Sequence, residues 1–174
     1  MQKTNPLLGA RAYLGGPIEN DTSGHNWRIE PSKVLRERFG VNLFDPFSDP
    51  KQQWVPELVQ AQKDCDFDRM VEIARDFVSK DLIMVERSDF LVSYLPKGVP
   101  TTGTHHEIIF SSNNKKPTLL VCPQGKQFVP LWYYGFIPHT CMFGSWDALY
   151  DYLQEVVDWK HTSNRRWKYR YGLI

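Results

Sequence analysis

The alternation of short apolar runs with segments of helical character is the clearest pattern in this chain. Four runs have the length and composition of buried strands, namely Ala10 to Leu14, Val41 to Phe44, Phe90 to Leu95 and Thr118 to Cys122. Strands that alternate with helices form parallel sheets joined by crossover helices. The sequence therefore predicts an α/β fold, a Rossmann-like or flavodoxin-like open parallel sheet flanked by helices, in a single domain over residues 1–174.

The helical periodicity of apolar residues is clear in some segments and interrupted in others. Apolar residues recur every three or four positions from Asp68 to Ser88, which predicts one helix or two in series. Trp146 to Val157 has the pattern of an amphipathic helix. Pro31 interrupts the period that runs from Trp27 to Phe39, so the helix in that region is predicted to begin near Ser32.

Two segments do not follow this alternation. Residues 48–66 are polar and aromatic without a clear period, and we interpret them as a possible insertion. Residues 161–174 form a basic, aromatic C-terminal tail that ends in RRWKYRYGLI. A tail of this composition is able to stack on nucleic acid and neutralise its charge, but more often it caps a neighbouring subunit.

The amino-acid composition indicates which kinds of binding partner or substrate fit this protein. The 21 basic residues nearly balance the 20 acidic ones, and the net charge of +1 favours neither nucleic acid nor a membrane surface, so a small-molecule substrate fits better. No stretch approaches the roughly 20 apolar residues of a membrane span, which predicts a cytoplasmic protein. The three cysteines match neither a disulfide framework nor a set of zinc ligands, and we expect no metal and no other cofactor.

The loops that follow the apolar runs are the places to look for chemistry, because an open parallel sheet binds ligands beyond the carboxyl ends of its strands. The first of these loops contains Gly15, Gly16 and Pro17. Bare backbone amides at such a loop are able to approach a sugar or a phosphate closely. An ordinary glycine turn is the alternative interpretation.

The segment before the fourth strand carries a second candidate group. A helix is predicted to begin near Thr104, after Gly103, with Glu107 in its first turn. A carboxylate there is stabilised as the anion by free amides and the helix dipole, and a nucleophile needs such an anion. The alternative is a capping box with Thr104 as N-cap and Glu107 at the third helical position. His105 and His106 point in different directions and have no third ligand at a diagnostic spacing, so they predict no metal site.

Two acids, Asp81 and Asp89, bracket the segment that precedes the third strand. Solvated carboxylates at a helix end are the usual meaning of such residues. The functional alternative is that one of them supplies a proton or a hydrogen bond to a leaving base, whose departure leaves an oxocarbenium-like sugar.

Three segments follow one another in a distinctive order: Tyr13-Leu14-Gly15-Gly16-Pro17, then Lys80-Asp81-Leu82-Ile83 with Ser88-Asp89-Phe90-Leu91-Val92, then Gly103-Thr104-His105-His106-Glu107-Ile108. In order and spacing they resemble the nucleoside 2-deoxyribosyltransferase family, which includes related nucleoside monophosphate N-glycosidases. The resemblance implies that Glu107 is the nucleophile, that Tyr13 orients it and that Asp81 contacts the base. It matches Asp89 to an aspartate at a strand entry, for which we favour a structural role.

The residues that we expect to contact substrate are Gly15, Gly16, Pro17, Arg28, Asp89, Gly103 and Thr104. Arg28 is able to hold a 5'-phosphate in bidentate fashion, and the alternative is an exposed helix arginine. Transferases of this family often carry a second base-contacting aspartate in the loop before the nucleophile, but here the loop reads Val99-Pro100-Thr101-Thr102. The choice of base, and the choice between transfer and hydrolysis, therefore stay open.

These inferences predict cleavage or exchange of the N-glycosidic bond of a (deoxy)nucleoside or nucleoside 5'-monophosphate through a covalent glycosyl-Glu107 intermediate. One alternative is a catalytically inactive nucleotide-binding or sensing module. Another is a nucleic-acid-binding protein acting through its basic tail, against which the near-neutral total charge argues. The resemblance also implies a homo-oligomer in which a neighbour completes the pocket, with Leu131 to Phe143 and the tail as candidate contacts.

Overall fold

The fold is an open parallel sheet in the computed structural model, which describes residues 4–18 and 26–173. Its strands are β1 (Arg11–Gly15), β2 (Asn42–Phe44), β3 (Phe90–Tyr94), β4 (Thr118–Val121) and β5 (Met142–Phe143). Within the described residues they form one sheet in the order β2-β1-β3-β4-β5, and every neighbouring pair is parallel. This architecture confirms the predicted α/β class.

Helices flank the sheet. They are α1 (Asn26–Glu37), α2 (Val55–Lys63), α3 (Phe67–Arg87), α4 (Thr102–Asn113) and α5 (Trp146–Val157). The pattern from 68 to 88 corresponds to the single helix α3, and α5 has the predicted bounds. Across the described ranges, no helix has both the length and the apolar character that spanning a membrane requires.

The apolar runs are strands because the middle of the sheet is buried on both faces. Leu14 of β1 lies in register with Val92 of β3, which in turn lies in register with Leu119 of β4. All three side chains are fully buried. A strand covered on both faces reads as a continuous apolar run rather than an alternating one, which is the pattern that the sequence carries.

The first helix begins earlier than its periodicity predicts. We expected a start near Ser32, but α1 begins at Asn26 and contains Pro31. Tertiary contacts offset the hydrogen bond that this proline cannot donate. Trp27 stacks on Tyr94 with ring centroids 4.7 Å apart, and Arg28 donates hydrogen bonds to backbone carbonyls of the loop after β1. These contacts hold the first turn of α1 in place.

The polar segment after β2 folds into short, capped elements. Two 3₁₀ turns, Pro46–Ser48 and Pro50–Trp54, lead into α2. The side chains of Asp45 and Asp49 accept hydrogen bonds from backbone amides of these turns and so fix where each begins. The α2 helix packs against α3, which brings the segment beside the carboxyl edge of the sheet.

The end of the chain packs against its own sheet. Sequence analysis found no strand beyond Cys122, yet Met142 and Phe143 pair with β4, a strand too short to show a period. Trp167 of the tail is fully buried against Phe90 and donates a hydrogen bond of 2.8 Å to the hydroxyl of Tyr152. Trp167 is thus held within its own chain, whereas Tyr169 is 69% exposed, and contact of the tail with a neighbouring subunit stays a prediction.

Candidate active site

A cleft of about 910 Å³ opens at the carboxyl edge of the sheet. Its walls come from the loop after β1, from the segment after β2, from α3 and from the start of α4. Among the residues that line it are Gly16, Pro17, Lys51, Phe77, Asp81, Thr101, Gly103, Thr104 and Glu107. The structure thus brings together most of the residues that the sequence singles out.

Glu107 is buried at the floor of this cleft and is held on one side. The hydroxyl of Tyr13, from β1, donates a hydrogen bond of 2.7 Å to its Oε1 atom. Burial and the neighbouring carboxylate raise the pKa of Tyr13 well above its ordinary value, so its phenol keeps the proton that it donates. The Oε2 atom of Glu107 is buried without a hydrogen-bond partner among the described residues. The two oxygens of this carboxylate therefore differ, since the hydrogen bond from Tyr13 engages Oε1 alone.

The position of Glu107 in its helix differs from the predicted one. The α4 helix begins at Thr102 after the N-cap Thr101, which makes Glu107 its sixth residue rather than its third. Thr104 lies inside the first turn, so the capping-box interpretation is wrong. Glu107 also lies beyond that turn, to which stabilisation of an anion by the helix terminus is largely confined.

Burial, rather than the helix terminus, dominates the titration of Glu107. It raises the pKa of this carboxyl from an ordinary value of 4.5 to about 7. The hydrogen bond from Tyr13 and the positive charges of Arg28 and Lys51 lower the pKa, whereas the negative charge of Asp81 raises it. Near neutral pH the site consequently holds Glu107 in both its protonated and its ionised form.

The paired glycines after β1 make room for side chains of this chain. Gly15 lies in register with Ser93 of β3, and a Cβ atom on Gly15 would lie 2.9 Å from Oε2 of Glu107 and 3.0 Å from Oγ of Ser93. A Cβ atom on Gly16 would lie 2.3 Å from the ring of Trp27. The absence of a side chain at Gly15 lets the carboxylate of Glu107 lie against the backbone of β1, and its absence at Gly16 makes room for the ring of Trp27.

Asp81 has a partner in the cleft that sequence analysis missed. The ammonium of Lys51, from the turn Pro50–Trp54, donates a hydrogen bond to Oδ1 of Asp81, on α3. Only 1% of the Lys51 side chain is exposed, and its nitrogen lies 5.5 Å from the ring centroid of Phe77. Burial raises the pKa of Asp81, although the hydrogen bond and the charge of Lys51 lower it. The sequence offered no signal for this residue, because a lysine in a polar segment without periodicity is ordinarily solvated.

Arg28 does not face the cleft. It is 2% exposed, and its Nη1 and Nη2 groups donate to the carbonyls of Leu14 and Gly16 and to Oδ1 of Asp45. Both interpretations made from sequence, a phosphate ligand and an exposed arginine, are therefore wrong. The guanidinium instead fixes the glycine loop from behind.

Asp89 lies at the opposite edge of the sheet. It directly precedes β3, where its Oδ2 atom accepts a hydrogen bond of 2.7 Å from the amide of Arg11. The same oxygen forms an ion pair with Arg170 of the tail, 3.8 Å away. The structure does not bring Asp89 into the cleft, which corrects the expectation that it contacts substrate, and these contacts give it the structural role that we favoured for it.

The two histidines that precede Glu107 are not part of a metal centre. Among the residues that the structure describes, no group of three His, Cys, Asp or Glu side chains is placed to hold a metal ion. His105 contacts the hydroxyl of Tyr133 through Nδ1. Burial lowers the pKa of His105, so this ring is neutral near pH 7.

The fold is similar to that of solved structures. No protein-family model matches the sequence, and no curated protein matches it. A 2-deoxyribosyltransferase from the psychrotolerant bacterium Bacillus psychrosaccharolyticus superposes with a TM-score of 0.59 at 21% identity, over 80% of this chain and 90% of that one. The two chains share a fold. A CMP N-glycosidase from Clostridium botulinum, BcmB, superposes over 86% of this chain and 98% of that one at 18% identity. Its TM-score of 0.44 is too low to establish a shared fold.

Proposed function

We propose that this protein cleaves or exchanges the N-glycosidic bond of a nucleoside or nucleoside monophosphate, with Glu107 as its nucleophile. The observation that carries the proposal is the state of the Glu107 carboxylate. One oxygen is held by Tyr13 at 2.7 Å, while the other is buried at the floor of the cleft without a partner among the described residues. A carboxylate held in this way is oriented for attack by its second oxygen.

The order of residues around the cleft supports the same reaction. Asp81 and Glu107 line one cleft and Tyr13 contacts Glu107, which supports the roles that the resemblance to nucleoside 2-deoxyribosyltransferases implies for them, and the fold is shared with an enzyme named for that activity. A cleft of about 910 Å³ is within the range of small-molecule sites, which run from roughly 300 to 1,000 Å³. It is large enough for a nucleoside with its phosphate.

The reaction that we propose has two steps. Oε2 of Glu107 bonds to the anomeric carbon while the bond from that carbon to the base nitrogen breaks, and the electron pair of that bond leaves with the base. Asp81 supplies a hydrogen bond or proton to the departing base. A second base or a water molecule then displaces Glu107 from the glycosyl ester. Two displacements at the same carbon give overall retention of configuration for transfer.

Tyr13 acts on Glu107 in both steps of this proposal. Before attack its hydroxyl stabilises the ionised carboxylate, because a hydrogen bond to a charged group is strongest in that state. In the ester, the same hydroxyl faces the Oε1 atom, which has become a carbonyl oxygen. Gly15 lets the other oxygen, Oε2, lie close to β1, where a side chain would collide with it.

The proposal also includes a homo-oligomer, on the strength of the resemblance. Leu131 and Trp132 are 85% and 80% exposed, and apolar side chains of this size are candidates for burial by a neighbouring copy. Sedimentation velocity of wild type and of a Leu131→Ser, Trp132→Ser double variant tests whether these side chains form the interface. We expect the variant to dissociate. An oligomer of unchanged size would exclude both side chains from the interface.

The activity is tested by chromatography of free base released from a panel of nucleosides and nucleoside monophosphates, with and without a second base as acceptor. Wild type is compared with Glu107→Ala and with the control Glu86→Gln, which changes an exposed glutamate on α3. We expect release by wild type and by the control but not by Glu107→Ala. Dependence on the acceptor separates transfer from hydrolysis.

Two results of this assay would contradict the proposal. If Glu107→Ala releases base as fast as wild type, Glu107 is not the nucleophile. If wild type binds nucleotides, as measured by calorimetry, but releases no base from any member of the panel, the protein is a binding or sensing module that uses the same cleft.

A further inference from the structure

The ion pair of Lys51 and Asp81 is an unusual feature of the cleft. A lysine is almost never fully buried unless it is paired, and here the ammonium is 1% exposed with its hydrogen bond directed to Asp81. The ring of Phe77, 5.5 Å from the nitrogen, further stabilises the positive charge. Both members of the pair line the cleft that contains Glu107. The pair therefore lies where substrate would bind, rather than on the surface.

The two residues are held by separate elements. Lys51 belongs to the 3₁₀ turn that Asp49 caps by accepting a hydrogen bond of 2.9 Å from the Lys51 amide, while Asp81 belongs to α3. Phe77 lies one helical turn before Asp81 on the same helix. The capped turn fixes the backbone of Lys51, so that its side chain extends across the cleft wall toward this turn of α3.

A base in the cleft changes the balance within the pair. Displacing water removes the solvation that favours separated charges, and this brings the neutral pair of amine and carboxylic acid closer in free energy to the ion pair. The leaving base meanwhile develops negative charge as it takes the electron pair of the broken bond. Both effects favour movement of a proton from the ammonium toward the base.

We propose that Lys51 supplies, through Asp81, the proton that the leaving base takes up. This inference rests on the function proposed above. A proton of the Lys51 ammonium passes to the Asp81 carboxylate, and from Asp81 a proton passes to the base nitrogen or oxygen that carries the negative charge, so that Asp81 ends as a carboxylate again. Lys51 is left as a neutral amine, which recovers its proton from the water or the second base that then displaces Glu107 from the glycosyl ester. Charge and protons balance at each step.

Substitution by arginine distinguishes this role from an electrostatic one. Lys51→Arg keeps the positive charge and the ion pair, but a guanidinium does not give up its proton in proteins. Lys51→Met removes both the charge and the proton. If Lys51 only neutralises Asp81, the arginine variant remains active and the methionine variant does not. If Lys51 supplies a proton, both variants fail on the same substrates.

The choice of substrate completes the experiment. Natural bases need a proton to leave, whereas 4-nitrophenolate is stable as an anion, so a 4-nitrophenyl glycoside of the sugar that wild type accepts needs none. We expect Lys51→Arg to lower kcat on the natural nucleoside by about a hundredfold or more, the range for general acid catalysis, with kcat on the nitrophenyl glycoside little changed. Lys63→Arg, at an exposed position that ends α2, is the matched control.

The outcomes separate this inference from the proposed function. Wild type that releases neither base nor nitrophenol overturns the glycosidic activity itself. Active wild type with a fully active Lys51→Arg variant overturns only the proton supply. An arginine variant that loses both substrates equally assigns Lys51 to shaping the cleft and also overturns the proton supply. Circular dichroism and thermal melting of each variant confirm that the compared proteins are folded.

Discussion

Replacing Tyr13 by phenylalanine removes one hydroxyl and changes the ionisation of Glu107 in a predictable direction. The lost hydrogen bond is 2.7 Å long and buried, and hydrogen bonds to charged groups contribute about 1.5–3 kcal/mol. Since 1.36 kcal/mol corresponds to one pKa unit, the pKa of Glu107 is expected to rise by about one to two units. Its value in the wild type is about 7, so in the variant it lies near 8 to 9.

In the proposed mechanism the activity follows from the ionised fraction of Glu107, because only the ionised carboxylate attacks. At pH 7 about half of Glu107 is ionised in the wild type, against roughly 10% to 1% in Tyr13→Phe, so kcat/KM falls by about 5-fold to 50-fold. The loss shrinks as pH rises, because kcat/KM increases through the pKa of the free enzyme. The assay is base release over pH 5.5 to 10 under subsaturating substrate.

A matched control is available in Tyr150. This tyrosine is also buried, but its hydroxyl has no hydrogen-bond partner among the residues that the structure describes, and it lies on α5 away from the cleft. Tyr150→Phe is expected to keep the wild-type pH profile. A Tyr13→Phe profile that is lower by the same factor at every pH would refute the argument, since it would mean that the hydroxyl does not act through the ionisation of Glu107.

Two further predictions concern stability. Burial raises the folded-state pKa of Glu107 from 4.5 to about 7, so ionising this group destabilises the fold by up to about 3 kcal/mol, a cost absent below pH 4.5 and complete above pH 7. Glu107→Gln should therefore have a higher free energy of unfolding than wild type at pH 8 but not at pH 4.5, as measured by urea unfolding. An equal difference between the two proteins at both pH values would contradict this prediction. Trp167→Ala should lose about 3–5 kcal/mol because its side chain is fully buried, whereas Phe67→Ala, at a 68% exposed position, should lose little in the same measurement.

Much of the sheet was predictable because its central strands are buried on both faces. The four apolar runs correspond to β1, β2, β3 and β4, with ends shifted by a residue or two. What the sequence hid depends on contacts distant along the chain. The start of α1 is fixed by Trp27 and Arg28 against other elements, and a strand of two residues such as β5 carries no pattern of its own.

The candidate site was predictable only in part, for a related reason. Tyr13, Asp81 and Glu107 stand in segments whose order along the chain carries a resemblance, and the fold brings all three to the carboxyl edge of the sheet. Lys51 stands in a segment without periodicity, and its burial follows from the packing of that segment against α3. Arg28 illustrates the reverse error, since an arginine close to a glycine loop fixes that loop instead of facing a ligand.

The environment of Glu107 has a consequence for both steps of the proposed reaction. The sequence predicts that Glu107 lies at a helix terminus, which would keep its carboxylate ionised but weakly basic. Burial instead raises its pKa to about 7. A more basic carboxylate attacks the anomeric carbon faster but leaves the glycosyl ester more slowly. Tyr13 and the charges of Arg28 and Lys51 oppose the effect of burial. The proposed reaction therefore places two opposing requirements on Glu107, because the same oxygen would have to form the glycosyl bond and then release it.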